Sequence, residues 1–236
     1  MDNAMPILLI PGLASSPRIF APVIADLWPF GPVTVANHVR DDNMGSIARR
    51  ILAEAPPRFA LAGHSMGGYI AFEIMRQAPD RVAKLALINT QARPDTPEAS
   101  AGRRTRIARV RDGGMRALHE VLDEMLPQLV LPSRAGEADL RRLFHDMGDD
   151  VRPAGFINNQ AAMIARPDSR PAMAFIKCPT LVLSGDQDML IPNTLSKEMA
   201  DGIPGAKLVI IPDCGHCPQP ERPQAAAAAL VEWLRG

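Results

Sequence analysis

Gly63-His64-Ser65-Met66-Gly67 constrains the fold of this chain more than any other feature, because it spells G-x-S-x-G between an apolar run and a helical pattern. A serine in that spacing belongs on a sharp strand-to-helix turn that lifts its hydroxyl above the end of a sheet, with glycines on either side because a side chain there would clash. The helix amino terminus behind Ser65 also favours negative charge on a reacting oxygen. A glycine-rich turn with a capping serine has the same composition, so the surrounding pattern must decide between the two.

That pattern is short apolar runs alternating with amphipathic stretches, which predicts an α/β fold: a mostly parallel, doubly wound sheet of about six strands covered by helices. Strands are expected at Pro6–Ile10, Val33–Val35, Phe59–Leu61, Val82–Ile88, Thr180–Leu183 and Lys207–Ile211. Helices are expected at Pro17–Trp28, Asn43–Ala55, Gly67–Gln77, Thr194–Ala200 and Gln224–Leu234. The carboxyl ends of the strands then share one edge, where open α/β sheets bind ligands. Residues 1–90 and 176–236 make this core. Residues 91–175 break the alternation: they are rich in Arg, Met and Ala, with amphipathic runs at Ala99–Val110, Met115–Leu126, Glu137–Met147 and Gly155–Ile164. A helical insertion that leaves and re-enters the sheet is expected to act as a lid.

A serine hydroxyl needs a base within hydrogen-bond reach, most often a histidine whose other nitrogen is held by a carboxylate. Of five histidines, His216 follows the last strand and is expected at the same edge as Ser65. His64 adjoins Ser65 but diverges from it in a tight turn, His119 and His145 fall in the insertion, and His38 reads as a solvated loop histidine. The carboxylate candidates Asp186 and Asp188 follow the fifth strand, and the one not used is expected to shape its loop. Acyl transfer also needs N–H groups aimed at an oxyanion, one after the nucleophile and one after the first strand, positions met by Met66 and Leu13.

With these residues assembled, the chain resembles the α/β-hydrolase superfamily, especially its small lidded bacterial esterase and enol-lactonase-like members. The likeness rests on Ile10-Pro11-Gly12, on Gly63-His64-Ser65-Met66-Gly67-Gly68, on Gly185 with Asp188 and Pro192, and on Gly215-His216 with Glu221 and Pro223. The acid usually stands three residues after such a glycine, so the resemblance favours Asp188 over Asp186. It implies a serine hydrolase of carboxylic esters, lactones or related small acyl compounds, with Ser65, Asp188 and His216 as triad and the Leu13 and Met66 amides as oxyanion hole. Non-ester chemistry on the same fold is the alternative: a lyase, a perhydrolase or a carbon–carbon bond hydrolase. Many relatives have His-Gly where Pro11-Gly12 stands here, and Asn37 to Asp42 depart from their usual D-x-P-G-x-G-x-S loop.

Charge narrows the partners. Lys plus Arg and Asp plus Glu are both 26, leaving no excess to neutralise phosphates, so nucleic acid is not expected. No run reaches the roughly 20 apolar residues of a membrane span, and Met1-Asp2-Asn3 lacks the positive region of a signal peptide, so a cytoplasmic location is expected. Cys214-Gly215-His216-Cys217 is similar to the redox motif of disulfide isomerases and raises a thiol–disulfide oxidoreductase as a remote alternative. Pro218 and Pro220 follow at once, and too little chain remains for the strands of a thioredoxin fold. Those residues also lack the ligand cluster that tetrahedral zinc requires. No cofactor and no metal are expected. Aromatic residues are 4% of the chain, so the pocket is expected to be lined by aliphatic and Met side chains. The oligomeric state and the particular substrate are not written in the sequence.

Overall fold

The apolar runs pair side by side. In the computed structural model, which describes residues 4–236, β1 (Ile7–Ile10), β2 (Val33–Val35), β3 (Phe59–His64), β4 (Val82–Ile88), β5 (Thr180–Gly185) and β6 (Lys207–Ile211) form one parallel sheet in the order β2-β1-β3-β4-β5-β6. β3 and β5 run two to three residues longer than their apolar cores predict. Small residues at their ends, Gly63 and Gly185, keep the ladder going to the rim.

Alternate strand residues supply two cores, as the period of two requires. Leu9, Ala60, Ala62, Ile88 and Leu183 face one side, where α1 (Ala21–Leu27) and α9 (Pro223–Arg235) pack through Val23, Leu27, Leu230 and Trp233. Leu8, Ile10, Leu61, Leu85 and Val182 face the other, covered by α2 (Met44–Glu54), α3 (Met66–Gln77) and α7 (Asn193–Gly202) through Ile47, Ile70, Phe72 and Met199. Burying side chains such as Leu9 and Phe72 stabilises the fold by about 1.5–3 kcal/mol each, against the chain entropy lost on folding. The first helix is shorter than its pattern suggests. Pro17–Phe20 and Trp28–Phe30 are 3₁₀ turns at either end of α1, each with a proline near its start.

Between β4 and β5 the chain runs through α4 (Pro97–Leu129), α5 (Ala138–Ile164) and the single turn α6 (Arg170–Met173). The four amphipathic runs of the sequence fall pairwise on two long kinked helices. α4 starts on the Thr96 side chain, which accepts from Ala99 N–H at 3.1 Å with Pro97 behind it. It breaks at Gly114, where φ is 61°. α5 breaks at Arg152, where φ is 64° and the following Pro153 forbids a continuous helix. The two pack on each other through Val110, Leu118, Val121, Leu122, Val151 and Phe156, and this small core also takes in Ala14 from the loop after β1. Leu126, Phe144 and Met147 reach the main core beside α1 and α9. Among the described residues no helix is long and apolar enough to cross a membrane.

Register brings the loops together. Ile10 stands level with Gly63, His64 with Ile88, Ile88 with Leu183 and Gly185 with Ile211. The residues after β1, β3, β4, β5 and β6 therefore meet along one rim of the sheet.

Candidate active site

The turn after β3 holds Ser65 at φ 54° and ψ −117°, a conformation costly for a residue with a side chain. Close packing enforces it. A Cβ on Gly63 would lie 2.3 Å from the Gly67 carbonyl oxygen, and one on Gly67 would lie 2.1 Å from that of Ile10. Ser65 N–H donates to Ile88 O at 2.8 Å, and Thr90 Oγ1 donates to Ser65 O at 2.8 Å, so the end of β4 and the loop after it clamp the turn on both sides.

His216 and Asp188 reach Ser65 from the loops after β6 and β5. Ser65 Oγ lies 2.8 Å from His216 Nε2, and His216 Nδ1 lies 2.8 Å from Asp188 Oδ2. Both the histidine and the acid are buried. Asp188 Oδ1 accepts from the N–H groups of Leu190 and Ile191, each at 2.9 Å. Burial alone would push the Asp188 carboxyl up. The His216 ring, the Ile191 N–H and the Asn89 amide outweigh it and hold the group below its ordinary value. An ionised Asp188 then fixes the tautomer with hydrogen on Nδ1 and leaves Nε2 to accept from the serine hydroxyl.

Asp186 is occupied elsewhere: its Oδ1 accepts from Cys214 N–H at 3.1 Å and ties the β5 loop to the β6 loop. Two other groups brace the same loops. Asn89, at φ 44° after β4, donates from Nδ2 to Asp188 Oδ2 at 2.9 Å and to Gly215 O at 3.2 Å. The buried Glu221 carboxylate accepts from Leu131, Gly215 and Cys217 N–H at 2.7, 3.2 and 3.0 Å, and so binds the His216 loop to the end of α4. Neither bracing role shows in the sequence alone; the faint signal for Asn89 is a polar residue directly after a buried strand.

Gly12 approaches so closely that its Cβ would lie 3.1 Å from Ser65 Cβ, which brings Leu13 to the pocket beside the serine. The N–H groups of Leu13 and Met66 donate to no other group among the described residues. His38 corrects the sequence reading. It is 2% exposed, and its Nε2 donates to Gly12 O at 2.9 Å, bracing the loop that holds Leu13. Burial brings its pKa down to about 4, so it is neutral near pH 7. His64 does point away from the hydroxyl: its Nε2 donates to the His216 carbonyl at 2.9 Å, and burial followed by the neighbouring His216 brings its pKa down to about 3. His119 and His145 stack 4.3 Å apart between α4 and α5 and pair with Asp149 and Asp123.

The cysteine motif is inert by environment. Cys214 and Cys217 are buried free thiols, raised by burial first and by the Glu221 charge second. Cys217 does precede the four-residue helix α8 (Pro218–Glu221), but burial and a carboxylate overwhelm any help from so short a dipole.

Ser65 and His216 open into a cavity of about 420 Å³ between the rim and the insertion. Leu13, Met125, Leu129, Met163, Leu190 and Ile191 give it part of the aliphatic lining expected from composition, but the aromatic Tyr69 and Phe144 line it as well. Arg93, Arg103, Arg106, Arg166 and Asp95 also line it, a charged wall that the expectation missed although the Arg-rich stretch was visible.

Comparison with known proteins agrees with this fold. A family model described as the alpha/beta hydrolase fold matches residues 31–223. A thermophilic esterase from Thermogutta terrifontis superposes with a TM-score of 0.88 at 31% identity, covering 100% of this chain and 91% of that one. The enol-lactonase from Burkholderia xenovorans LB400 superposes with a TM-score of 0.87 at 26% identity, covering 100% and 93%. The putative carbamate hydrolase RutD of Caulobacter sp. is 28% identical over 76% of this chain, and the match spans 66% of its own length, just under two thirds.

Proposed function

The chain belongs to the α/β-hydrolase fold family, and within it we propose a serine hydrolase of carboxylic esters, lactones or related small acyl compounds that works through an acyl-enzyme on Ser65. The observation that carries this reading is the unbroken hydrogen-bonded line from Asp188 through His216 to Ser65, 2.8 Å at each step. Esterase and enol-lactonase relatives support it.

His216 Nε2 takes the hydroxyl proton as Ser65 Oγ attacks the acyl carbon. Asp188 stabilises the resulting imidazolium, and the Leu13 and Met66 N–H groups receive the negative oxygen of the tetrahedral intermediate. Collapse of that intermediate breaks the bond to the alcohol or ring oxygen, which leaves with the proton from Nε2. Water then enters, gives a proton to His216 and attacks the acyl carbon, and Ser65 recovers its hydrogen as the acid departs. α4 and α5 serve as the lid that bounds the acyl pocket and keeps bulk water from the intermediate.

Ser65→Ala tests the reading. The variant is expected to keep the folded circular dichroism spectrum and to lose roughly 10⁴- to 10⁶-fold in kcat on an activated ester. Turnover retained within tenfold would remove Ser65 from its role.

A further inference from the structure

The cavity beside Ser65 carries more positive charge than the hydrolysis of a neutral ester needs. Three of its four guanidinium groups are already partnered. Asp95 accepts from Arg103 Nε at 2.6 Å and from Arg166 Nη1, and Arg103 Nη1 also donates to Gln160 Oε1 at 2.9 Å. Arg93 donates to both oxygens of Glu198, at 3.0 and 2.8 Å.

Arg106 differs. It lines the same cavity as Ser65 and is partly buried, yet it makes no hydrogen bond or ion pair with any group among the described residues. The acid that bears on it electrostatically, Glu124, is held by Arg109 Nη1 at 2.7 and 2.8 Å. Burial first, and the neighbouring Arg103 charge second, push Arg106 below its ordinary value, so its own surroundings disfavour the cation. Its Nη1 lies back over the preceding turn of α4, where Gly102 offers only backbone. A half-desolvated guanidinium with its fork unused and another cation beside it gains most from an anion brought into the cavity.

We infer that Arg106 is a specificity residue that binds a carboxylate carried by the substrate, so that this site takes half-esters of dicarboxylic acids in preference to neutral esters. The inference rests on Ser65 being the nucleophile. A carboxylate fits because the planar fork pairs with it through two parallel hydrogen bonds. The aliphatic walls formed by Met125, Leu129 and Met163 suit the few methylenes between that carboxylate and the reacting acyl group. The charged end would then set which ester is held, and the reaction at Ser65 would leave it unchanged.

The test compares the monomethyl esters of succinate, glutarate and adipate with the methyl esters of the matching acid monoamides, which have the same length and no charge. In the wild-type protein kcat/KM is expected to favour the charged ester of the best-fitting length by about 10- to 100-fold, the range for a charge-assisted pair. Arg106→Gln is expected to bring that ratio to within about threefold of unity, chiefly through KM for the charged ester, and Arg106→Lys to recover part of it. A structural role for Arg106 would lower both substrates together and leave the ratio standing. Equal use of charged and neutral esters by the wild type, with turnover lost in Ser65→Ala, would overturn the inference while the hydrolase reading stands. Should no ester be turned over, the hydrolase reading fails, and calorimetric binding of monomethyl glutarate to Ser65→Ala protein with and without Arg106→Gln decides the carboxylate site by itself. Binding at least tenfold weaker in the double variant supports the site, and equal binding overturns it.

Discussion

Replacing Asn89 by glycine separates the support of the acid from the acid itself. The Asp188 carboxylate has four donors: His216 Nδ1 at 2.8 Å, and Asn89 Nδ2, Leu190 N and Ile191 N at 2.9 Å. Glycine accepts the φ of 44° at this position without strain, so Asn89→Gly removes the amide that donates to Asp188 Oδ2 and Gly215 O without a backbone penalty, whereas alanine there adds about 1–2 kcal/mol of left-handed strain. A hydrogen bond to a buried charge contributes about 1.5–3 kcal/mol, so loss of the Asn89 donor raises the Asp188 pKa. Since the folded-state pKa of Asp188 is depressed, its stabilising effect is present above the ordinary carboxylate range and lost as pH falls through the folded value. Urea unfolding at pH 8 should therefore show Asn89→Gly about 2 kcal/mol less stable than wild type, with the deficit shrinking in acid where both carboxyls are protonated. On an activated ester kcat/KM should drop about tenfold at pH 8, and further as pH is lowered, because the weakened acid protonates earlier. Wild-type stability together with an unchanged pH profile would show that Asn89 does not hold Asp188.

Three further outcomes follow from the same geometry. Gly67→Ala should give little or no folded protein, read as soluble yield and cooperative melting, because its Cβ would lie 2.1 Å from the Ile10 carbonyl oxygen. Dithionitrobenzoate should find Cys214 and Cys217 unreactive in the native protein at pH 8 and all three cysteines reactive in guanidinium, since burial raises both thiols. His38 and His64 titrate near 4 and 3 when folded and near 6.5 when unfolded, so the unfolded chain binds protons first as pH falls; together they should remove roughly 4 kcal/mol of stability between pH 8 and pH 5, measured by urea unfolding, and His38→Gln should remove about half of that pH dependence.

How much of this was legible in the sequence differs from one residue to another. Strand positions carried well because buried parallel strands are short apolar runs, and only their small-residue ends at Gly63 and Gly185 went unread. Ser65, Asp188 and His216 stood out as candidates because each follows a strand, and the sheet register sends all such positions to one rim. Asn89 and Glu221 gave no comparable sign of what they brace, because Asn89 acts on Asp188 and Gly215 and Glu221 ties its own loop to Leu131, all partners at least 90 positions away. His38 was misread for a related reason: a polar residue after an edge strand looks solvated until Asn159 and the β1 loop close over it, with Asn159 Nδ2 donating to its carbonyl at 2.9 Å. The kinks at Gly114 and Arg152 decide whether four amphipathic runs become four helices or two, and hydrophobic periodicity does not report on that.

The central claim is that Ser65 becomes covalently acylated, and trapping that bond tests it most directly. Intact-mass analysis after treatment with a fluorophosphonate should show one adduct per chain, with peptide mapping assigning it to Ser65 and no adduct on Ser65→Ala. Labelling of another residue, or full turnover of an ester by protein that the reagent leaves unmodified, would contradict it.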